Sequence, residues 1–206
     1  MVIYFYIKSR VVYQQNGERN FHSFYYLVFG ATESELNEFS LKSSMIDKYN
    51  YLNQSTASMS PNHDDKSNYR LVNEAMRISN FEPGLIKTIW SLVAAVIHLG
   101  NLNFEAVEDD TDHNNNNNKS SERSGGHARV CQESMSTVRV ISKLFNIDDN
   151  ELVKALTSRL IASGSKELVT TFHSVKEAAY ARDALAKVVL LINKTPTGTS
   201  LRFLFN

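Results

Sequence analysis

Hydrophobic residues recur at intervals of three and four along several stretches of the chain, the spacing that places side chains on one face of a helix. Gly30 follows the first such stretch and is predicted to take the left-handed position that often ends a helix. These features predict a helix over residues 19–29. Its apolar positions are Phe21, Phe24, Tyr25, Val28 and Phe29.

The longest apolar helix is predicted between Pro83 and Leu99. Proline suits a first helical turn because its missing N–H would have no partner there, and Gly100 is expected to end the helix. The helix is apolar almost all round, with Ile86 and nearly every residue from Ile89 onward apolar, and a helix without a polar face is buried on all sides. A shorter helix is predicted from Tyr69 to Ser79, with its inner face at Val72, Ala75, Met76 and Ser79.

Three Ser, Thr or Asp residues stand three positions before a glutamate, the spacing of a capping box at a helix start. The pairs are Thr32 with Glu35, Asp148 with Glu151, and Ser174 with Glu177. They predict a short helix to about residue 39, a helix with apolar positions at Leu152, Ala155, Leu156 and Leu160, and a helix over residues 175–192. Another helical face consists of Met135, Val138, Ile141, Leu144 and Phe145.

β structure is predicted in only a few short stretches. Val2 to Tyr6 is aromatic and β-branched, which strands prefer, and Val11 to Tyr13 continues it. Lys166 to His173 is a further β-rich segment, entered through Gly164. The sequence therefore predicts a mainly α fold with a minor β part.

Two regions lose the periodic pattern. Residues 105–129 combine an acidic start, five consecutive asparagines from Asn114 to Asn118, and a serine- and glycine-rich stretch. This composition offers too little apolar surface to offset the entropy of ordering, so a disordered surface loop is predicted. Residues 195–206, with Pro196 and Gly198, are interpreted as a divergent tail after a folded unit over residues 1–194.

Composition argues against several classes of function. Lys+Arg and Asp+Glu both number 22, so bulk charge does not point to nucleic acid. No apolar run approaches the roughly 20 residues of a membrane span, and no membrane contact is expected from this segment. The single cysteine, Cys131, rules out an internal disulfide framework and is interpreted as a packed or idle thiol.

Motifs that would carry chemistry are missing from the sequence. The Gly-x-x-x-x-Gly-Lys-Ser/Thr pattern of phosphate-binding loops does not occur, and the six histidines lack metal-site spacing. His98 and His22 are interpreted as hydrogen-bonded core or boundary residues. The adjacent charges Glu18-Arg19 and Arg182-Asp183 are interpreted as solvated or helix-end charges that contribute little.

Three blocks of the sequence, in order, resemble myosin motor domains over roughly residues 8–189. Lys8-Ser-Arg-Val-Val12, Gly17-Glu-Arg-Asn-Phe-His22 and Phe24-Tyr25 are similar to the segment after switch I. Asn73-Glu-Ala-Met-Arg77 and Ile89-Trp-Ser-Leu-Val-Ala-Ala-Val-Ile-His-Leu-Gly-Asn-Leu-Asn-Phe104 are similar to the core helix of the upper fifty-kilodalton subdomain. The third block, Tyr180-Ala-Arg-Asp-Ala-Leu-Ala-Lys187, resembles the Tyr-x-Arg-Asp-Ala-Leu-Ala-Lys pattern of the family. Its residues favour the class I unconventional myosins within that family.

The resemblance implies part of a helical upper actin-binding subdomain of a P-loop-type motor, with two surfaces facing actin. Residues 105–129 fall where myosins have loop 4, and residues 163–174 fall at the loop named for cardiomyopathy. The implied actin-facing residues are Asn114, Lys119, Lys166, Glu167, Leu168 and Val169.

The resemblance also implies a regulatory position. Myosins often carry an acidic or phosphorylatable residue sixteen positions before the aspartate of the third block, and counting back from Asp183 reaches Glu167. Glu167 would then provide a permanent negative charge where some class I myosins need phosphorylation. The alternative is an ordinary solvated glutamate.

The chain departs from the family pattern at both ends. The P-loop and switch I expected before residue 8 and the switch II expected after the last helix do not occur, which suggests a truncated gene model, a splice product or divergent exon reading. No cofactor is expected in this chain, because Mg-ATP belongs to the intact parent. Whether the chain is itself an enzyme stays open.

The function implied by the resemblance is a contribution to actin filament binding, with ATP-driven motor activity belonging to the parent. The implied partners are actin filaments, bound weakly, and the remainder of the myosin heavy chain. The implied location is the cytoplasm, on the actin cytoskeleton, within a myosin complex. The alternative is a nonmotor helical interaction module or a nonfunctional truncated product.

Overall fold

The computed structural model describes residues 10–55, 63–107, 126–162 and 168–191. Its elements are α1 (His22–Gly30), α2 (Glu33–Glu38), a 3-10 segment (Ser43–Lys48), α3 (Asp65–Ile78), α4 (Pro83–Leu99), β1 (Phe104–Val107), β2 (His127–Val130), a 3-10 turn (Gln132–Ser134), α5 (Met135–Phe145), α6 (Asp149–Thr157), β3 (Ser158–Ala162), β4 (Leu168–Phe172) and α7 (Val175–Leu191). The strands form two separate antiparallel pairs, β1 with β2 and β3 with β4. The prediction of a mainly α fold with a minor β part is confirmed.

Helix α4 is the centre of the core. Its second half, Val93 to Leu99, is buried throughout, because α1, α5 and α7 pack around the helix. Its first half exposes Lys87 and Thr88, so the prediction of burial on all sides is confirmed for the second half and wrong for the first. The first half is amphipathic because its polar positions fall together on the solvent side.

Gly30 allows α1 and α3 to approach closely. A Cβ added to Gly30 would overlap the Cβ of Tyr69, so a larger residue would push the helices apart. Gly30 is the last residue of α1, and the C-cap residue Ala31 has an extended backbone with φ of −66°. The predicted left-handed helix end at Gly30 is therefore wrong, and the glycine serves helix packing instead.

Helix α3 begins earlier than predicted, and only part of its predicted inner face is buried. Its start is capped by Asp64, whose carboxylate accepts a hydrogen bond from the Ser67 N–H at 2.9 Å. The buried positions are Asp65, Tyr69 and Met76, whereas the predicted inner residues Ala75 and Ser79 are exposed. Val72 and Met76 pack against the core as predicted, and Tyr69 and the paired Asp65 complete the inner face in place of the small residues.

Two predicted capping boxes are confirmed. The Thr32 N–H donates to the Glu35 carboxylate at 2.8 Å, and the Glu35 N–H donates back to the Thr32 hydroxyl at 3.3 Å. Ser174 and Glu177 make the same pair of bonds at 2.9 and 3.3 Å. The backbone N–H of Ser174 lowers the pKa of the Glu177 carboxyl from its ordinary value. Both helix starts are thus fixed by local sequence.

The helix after Asp148 is shorter than predicted. The Asp148 carboxylate caps it by accepting from the N–H of Asn150 at 2.8 Å, but α6 ends at Thr157. Leu160, which was assigned to the inner face of this helix, lies in β3 with 59% of its surface exposed. The chain leaves the helix here because β3 pairs with β4.

The predicted β structure near the N-terminus is wrong for Val11 to Tyr13, the part of it that the structure describes. Residues 11 and 12 form a turn, and Tyr13 is irregular. The Val11 side chain is buried, and its carbonyl accepts from the Asn20 amide at 2.8 Å, so its backbone oxygen is satisfied without a strand partner. The predicted strand Val2–Tyr6, Gly164 and the tail 195–206 lie outside the described residues.

The predicted disordered loop 105–129 needs correction at both ends. Its first residues belong to β1 and its last to β2, with Phe104 opposite Val130 and Val107 opposite His127. Ala128 and Val130 are buried. Their burial helps offset the entropy lost when the two-stranded ribbon β1–β2 becomes ordered. Residues 108–125 lie outside the described residues.

Candidate functional site

The hairpin 158–172, formed by β3 and β4, presents uncovered hydrophobic side chains. Ile161 lies opposite Val169, and Ala162 lies opposite Leu168. Since opposite residues share a face and successive residues alternate, Ile161 and Val169 occupy one face and Leu168 the other. Their exposed fractions run from 43% for Ile161 to 67% for Leu168. Both faces of the hairpin are therefore open to solvent.

The base of the hairpin is anchored to the helical body. The His173 N–H donates to the Thr157 carbonyl at 2.8 Å, and His173 Nδ1 lies 3.0 Å from the Leu156 carbonyl oxygen. Across the start of α7, Arg159 pairs with Glu177 at 3.6 Å. A two-stranded hairpin is marginal alone in water, so these contacts at its base hold it in place.

The ribbon β1–β2 joins the hairpin at the same point. The Ala128 N–H donates to the His173 carbonyl at 2.7 Å, and the rings of His127 and Phe172 lie 5.3 Å apart. On the exposed side of the ribbon, the Arg129 guanidinium contacts the Glu105 carboxylate at 2.7 Å. The described ends of the two segments that are predicted to face actin therefore lie next to each other.

The predicted site residues divide into two groups. Leu168 and Val169 lie on opposite faces of β4, with 67% and 51% of their surfaces exposed. The other predicted positions lie outside the described residues, and their arrangement stays a prediction. They are Asn114, Lys119, Lys166 and Glu167.

A polar network ties α7 to the segment that follows α4. The Tyr51 hydroxyl donates to the Asp183 carboxylate at 2.7 Å, and the Arg182 Nε donates to the same oxygen at 2.9 Å. Another nitrogen of Arg182 donates to the Leu102 carbonyl at 2.8 Å. Burial, and then the bond to Asp183, raise the pKa of the Tyr51 hydroxyl well above its ordinary range. The interpretation of Arg182-Asp183 as minor surface or helix-end charges is wrong.

Tyr51 is also positioned by close packing. A Cβ on Gly100 would lie 2.8 Å from the Tyr51 ring, so the ring stacks directly against the backbone at the end of α4. The Tyr51 carbonyl accepts from the Asn20 amide at 2.7 Å, which joins this loop to the N-terminal segment. The three sequence blocks that resemble myosins therefore meet around Tyr51.

Arg19 forms a buried ion pair with Asp65. Its two terminal nitrogens donate to the two carboxylate oxygens at 3.2 and 2.7 Å, and its guanidinium carbon lies 3.9 Å from the centroid of the Tyr25 ring. The side chains of Arg19 and Asp65 are only 4% and 10% exposed. Glu18, the sequence neighbour, instead pairs with Arg10 at 3.4 Å on the surface. The interpretation of Glu18-Arg19 as a minor charge pair is wrong for Arg19.

His98 and His22 have structural roles. His98 is buried, and its Nε2 lies 2.9 Å from the Phe39 carbonyl oxygen, which confirms the core interpretation. Burial lowers the pKa of His98 below its ordinary value. His22 is half-buried, with its ring 5.2 Å from the ring of His63, and burial and then Arg19 lower the pKa of His22. It is a boundary residue, as predicted.

The described residues contain no group of three or more His, Cys, Asp or Glu that could hold a metal ion. Within the same ranges, none of the helices has the length and apolar character needed to cross a membrane. An open groove of about 860 Å³ runs beside α3. Its lining mixes both signs of charge, including Glu33, Glu74, Lys66 and Arg77, and defines no ligand.

Sequence reasoning missed β3 and the buried Arg19–Asp65 pair. The strand had a usable signal, because Leu160-Ile161 and Leu168-Val169 are two apolar runs on either side of Gly164, a hairpin pattern. The ion pair had none, because its partners are 46 residues apart.

Comparison with known proteins gives a consistent result. The family described as "Myosin head (motor domain)" matches residues 1–191. The chain is 37% identical over 182 residues to "Unconventional myosin ID" of Drosophila melanogaster, covering 88% of this chain and 16% of that protein. It is 35% identical, with the same coverage, to "Unconventional myosin-Id" of Homo sapiens and "Unconventional myosin-Ic" of Rattus norvegicus. The chain thus spans about one sixth of the length of these relatives.

Proposed function

Because the chain belongs to the myosin head (motor domain) family, and its relatives are unconventional class I myosins, we propose that it contributes an actin-facing surface to an actin-based motor. The contact surface is the hairpin 158–172 together with the segment between β1 and β2. The motor activity belongs to the larger protein that includes the remainder of the heavy chain. Its place of action is the actin cytoskeleton.

The observation that carries this proposal is the uncovered hairpin. Five large hydrophobic side chains project from a two-stranded element with both faces in solvent, an arrangement typical of an interaction site. They are Leu160, Ile161, Leu168, Val169 and Phe172. The rigid base at His173 supports the proposal because a contact surface binds better when it is ordered beforehand.

The negative charge of Glu167 is proposed to regulate the contact of the hairpin with actin. This residue immediately precedes β4, and the family resemblance gives its position a regulatory role. A permanent carboxylate there would keep the hairpin in the state that other class I myosins reach by phosphorylation. Lys166 beside it, and Asn114 and Lys119 between β1 and β2, are proposed as polar contacts at the rim of the interface.

Binding by this chain alone is expected to be weak. A stable protein interface buries roughly 1,200–2,000 Å², and one hairpin with an adjoining segment supplies only part of such an area. Nucleotide binding is not expected, because the sequence has no phosphate-binding loop pattern. Titration calorimetry with Mg-ATP on the 206-residue chain should give no heat of binding, and micromolar affinity would contradict this.

Co-sedimentation of the full 206-residue chain with actin filaments tests the proposal. Leu168→Ser removes a side chain that is 67% exposed on the hairpin, and Leu71→Ser on α3 is the control at 65% exposed. Full burial of a leucine is worth about 1.5–3 kcal/mol, so covering the exposed part of Leu168 contributes about 1–2 kcal/mol. Leu168→Ser should therefore weaken binding about 5- to 30-fold.

The control should bind like the unchanged chain. Equal effects of the two substitutions, or no binding by the unchanged chain, would reject the proposal in favour of a nonmotor module or a nonfunctional product. Glu167→Lys tests the charge in the same assay, with Glu133→Lys as an exposed control away from the hairpin. Unchanged binding by Glu167→Lys would contradict the regulatory role of Glu167, but it would not contradict the hairpin contact with actin.

A further inference from the structure

His173 lies where the hairpin, the ribbon and two helices meet. It follows β4 directly and precedes Ser174, whose capping box starts α7. Its carbonyl oxygen accepts a hydrogen bond from the Ala128 N–H of β2 at 2.7 Å. Its N–H donates to the carbonyl of Thr157, the last residue of α6, at 2.8 Å, and its Nδ1 lies 3.0 Å from the Leu156 carbonyl oxygen. One residue therefore connects four elements.

His173 also closes the C-terminal end of α6. The last carbonyl groups of a helix have no partner within the helix, and His173 donates to two of them, through its backbone and through its ring. Since a carbonyl oxygen only accepts, Nδ1 carries a proton. His173 is 8% exposed and Leu156 is 1% exposed, so water has little access to the bond between them. Because α6 leads directly into β3, this helix end also fixes where the hairpin begins.

A ring contact provides a second link between the hairpin and the ribbon. The rings of His127 and Phe172 lie 5.3 Å apart at an angle of 40°, within the range of favourable aromatic pairs. His127 lies opposite Val107, in the ribbon pair nearest to residues 108–125, and Phe172 lies opposite Ser158, in the first pair of the hairpin. This end of the ribbon therefore contacts the base of the hairpin.

We propose that His173 is a positioning residue that orders the hairpin 158–172 and the ribbon β1–β2 as one unit. Displacing His173 would break its bond to β2 and both of its bonds to α6 at the same time. With only one of the two segments in place, hydrogen-bonding groups of the buried residues Ala128 and Leu156 would lose these partners. Unpaired buried groups are costly, so the two segments loosen and tighten together.

The inference goes beyond the proposed function, because it concerns how the two segments are held and not what they contact. His173 is too buried to form part of a contact surface itself, so it acts through the hairpin and the ribbon. If the two segments face actin, contact at the hairpin would also order the ribbon. That consequence alone rests on the proposed function.

Hydrogen exchange of the full 206-residue chain, without actin, tests the coupling. His173→Ala removes the ring donor and leaves the Leu156 carbonyl without this partner. The amides of β2 and β4 should then both exchange at least about fivefold faster, the factor that corresponds to one unpaired buried group. His173→Asn should restore slow exchange in both strands, because the side-chain amide of asparagine donates from nearly the position of Nδ1.

His98→Ala is the matched control. His98 is 7% exposed, and its Nε2 lies 2.9 Å from the Phe39 carbonyl oxygen, so it makes the same kind of buried bond elsewhere in the core. This variant should not speed exchange in β2 and β4 more than in α1. The proposal would be overturned if His173→Ala speeds β4 and leaves β2 unchanged, if His98→Ala gives the same response in both strands, or if His173→Asn restores neither.

Phe172→Ala provides a test that does not threaten the core, because Phe172 is 60% exposed. Loss of the ring contact with His127 should speed exchange in β2 about 2- to 10-fold. Leu168→Ala is its control. Leu168 is 67% exposed on the same face of β4, but it lies opposite Ala162 at the other end of the hairpin, where loosening does not move His173.

Unchanged exchange of β2 in Phe172→Ala, or an equal response to Leu168→Ala, would also overturn the coupling. Since neither experiment contains actin, its failure is distinguishable from failure of the proposed function.

Discussion

The buried ion pair between Arg19 and Asp65 gives the sharpest prediction for the fold. Asp65→Ala would leave the guanidinium buried at 4% side-chain exposure without its carboxylate partner. Arg19 already has one buried nitrogen, Nε, without a hydrogen-bond partner among the described residues. Removing one member of a buried pair costs about 3–5 kcal/mol. Because domains are stable by only about 5–15 kcal/mol, this single change should remove a large part of the stability.

The assay is urea denaturation followed by the fluorescence of Trp90, the single tryptophan, which is buried in the core. Glu105→Ala is the matched control, because Glu105 pairs with Arg129 on the exposed ribbon and surface pairs contribute about 0–1 kcal/mol. Asp65→Asn keeps the shape and one acceptor, so it should fall between the two alanine variants. If Asp65→Ala lowers the free energy of unfolding by no more than Glu105→Ala does, the reasoning is refuted.

Three further predictions concern the core. Gly30→Ala should cost about 1–3 kcal/mol by overpacking against Tyr69, measured by the urea midpoint; an unchanged midpoint would contradict the close helix contact. Tyr51→Phe should cost about 1.5–3 kcal/mol by removing the bond to the Asp183 carboxylate, and a loss below about 0.5 kcal/mol would make that bond irrelevant. Burial lowers the pKa of His98 in the folded state, so the unfolded chain binds more protons below its ordinary pKa of about 6.5, and stability falls as pH drops through that value toward the folded pKa. His98→Gln should reduce this loss between pH 7.5 and 5.5, and an identical pH profile would contradict it.

The features that sequence could predict are local. The boxes at Thr32 and Ser174 were predicted because the two partners of each box are three residues apart and need no tertiary context. Pro83 predicts the start of α4 for a similar reason, since its missing N–H suits the first turn of a helix.

The errors arise where distant residues meet. Gly30 was assigned to a helix end because its contact with Tyr69 crosses about forty positions of sequence. Arg19 was assigned to the surface because its neighbour in the chain, Glu18, is acidic, whereas the partner that permits its burial is Asp65. Contacts between residues far apart in the chain determine whether such residues are buried, and they produce no periodic pattern in the sequence.

The candidate site itself stays a prediction, and the structure describes only its surroundings. Composition and resemblance identified the two segments, and the structure adds that their roots join at His173. The pairing of β3 with β4 was missed because the helical period before Thr157 extended by chance to Leu160. Once the hairpin is recognised, exposure on both faces becomes the main physical argument for its function.

Hydrogen exchange of the 206-residue chain, with and without actin filaments, tests the central claim most directly. The amides of β4, Leu168–Phe172, should exchange more slowly when filaments are present, because contact covers the hairpin. The amides around the exposed Leu71 on α3 should not change. Protection of α3 in place of β4, or no protection of β4 at filament concentrations that bind the chain, would contradict an actin-facing hairpin.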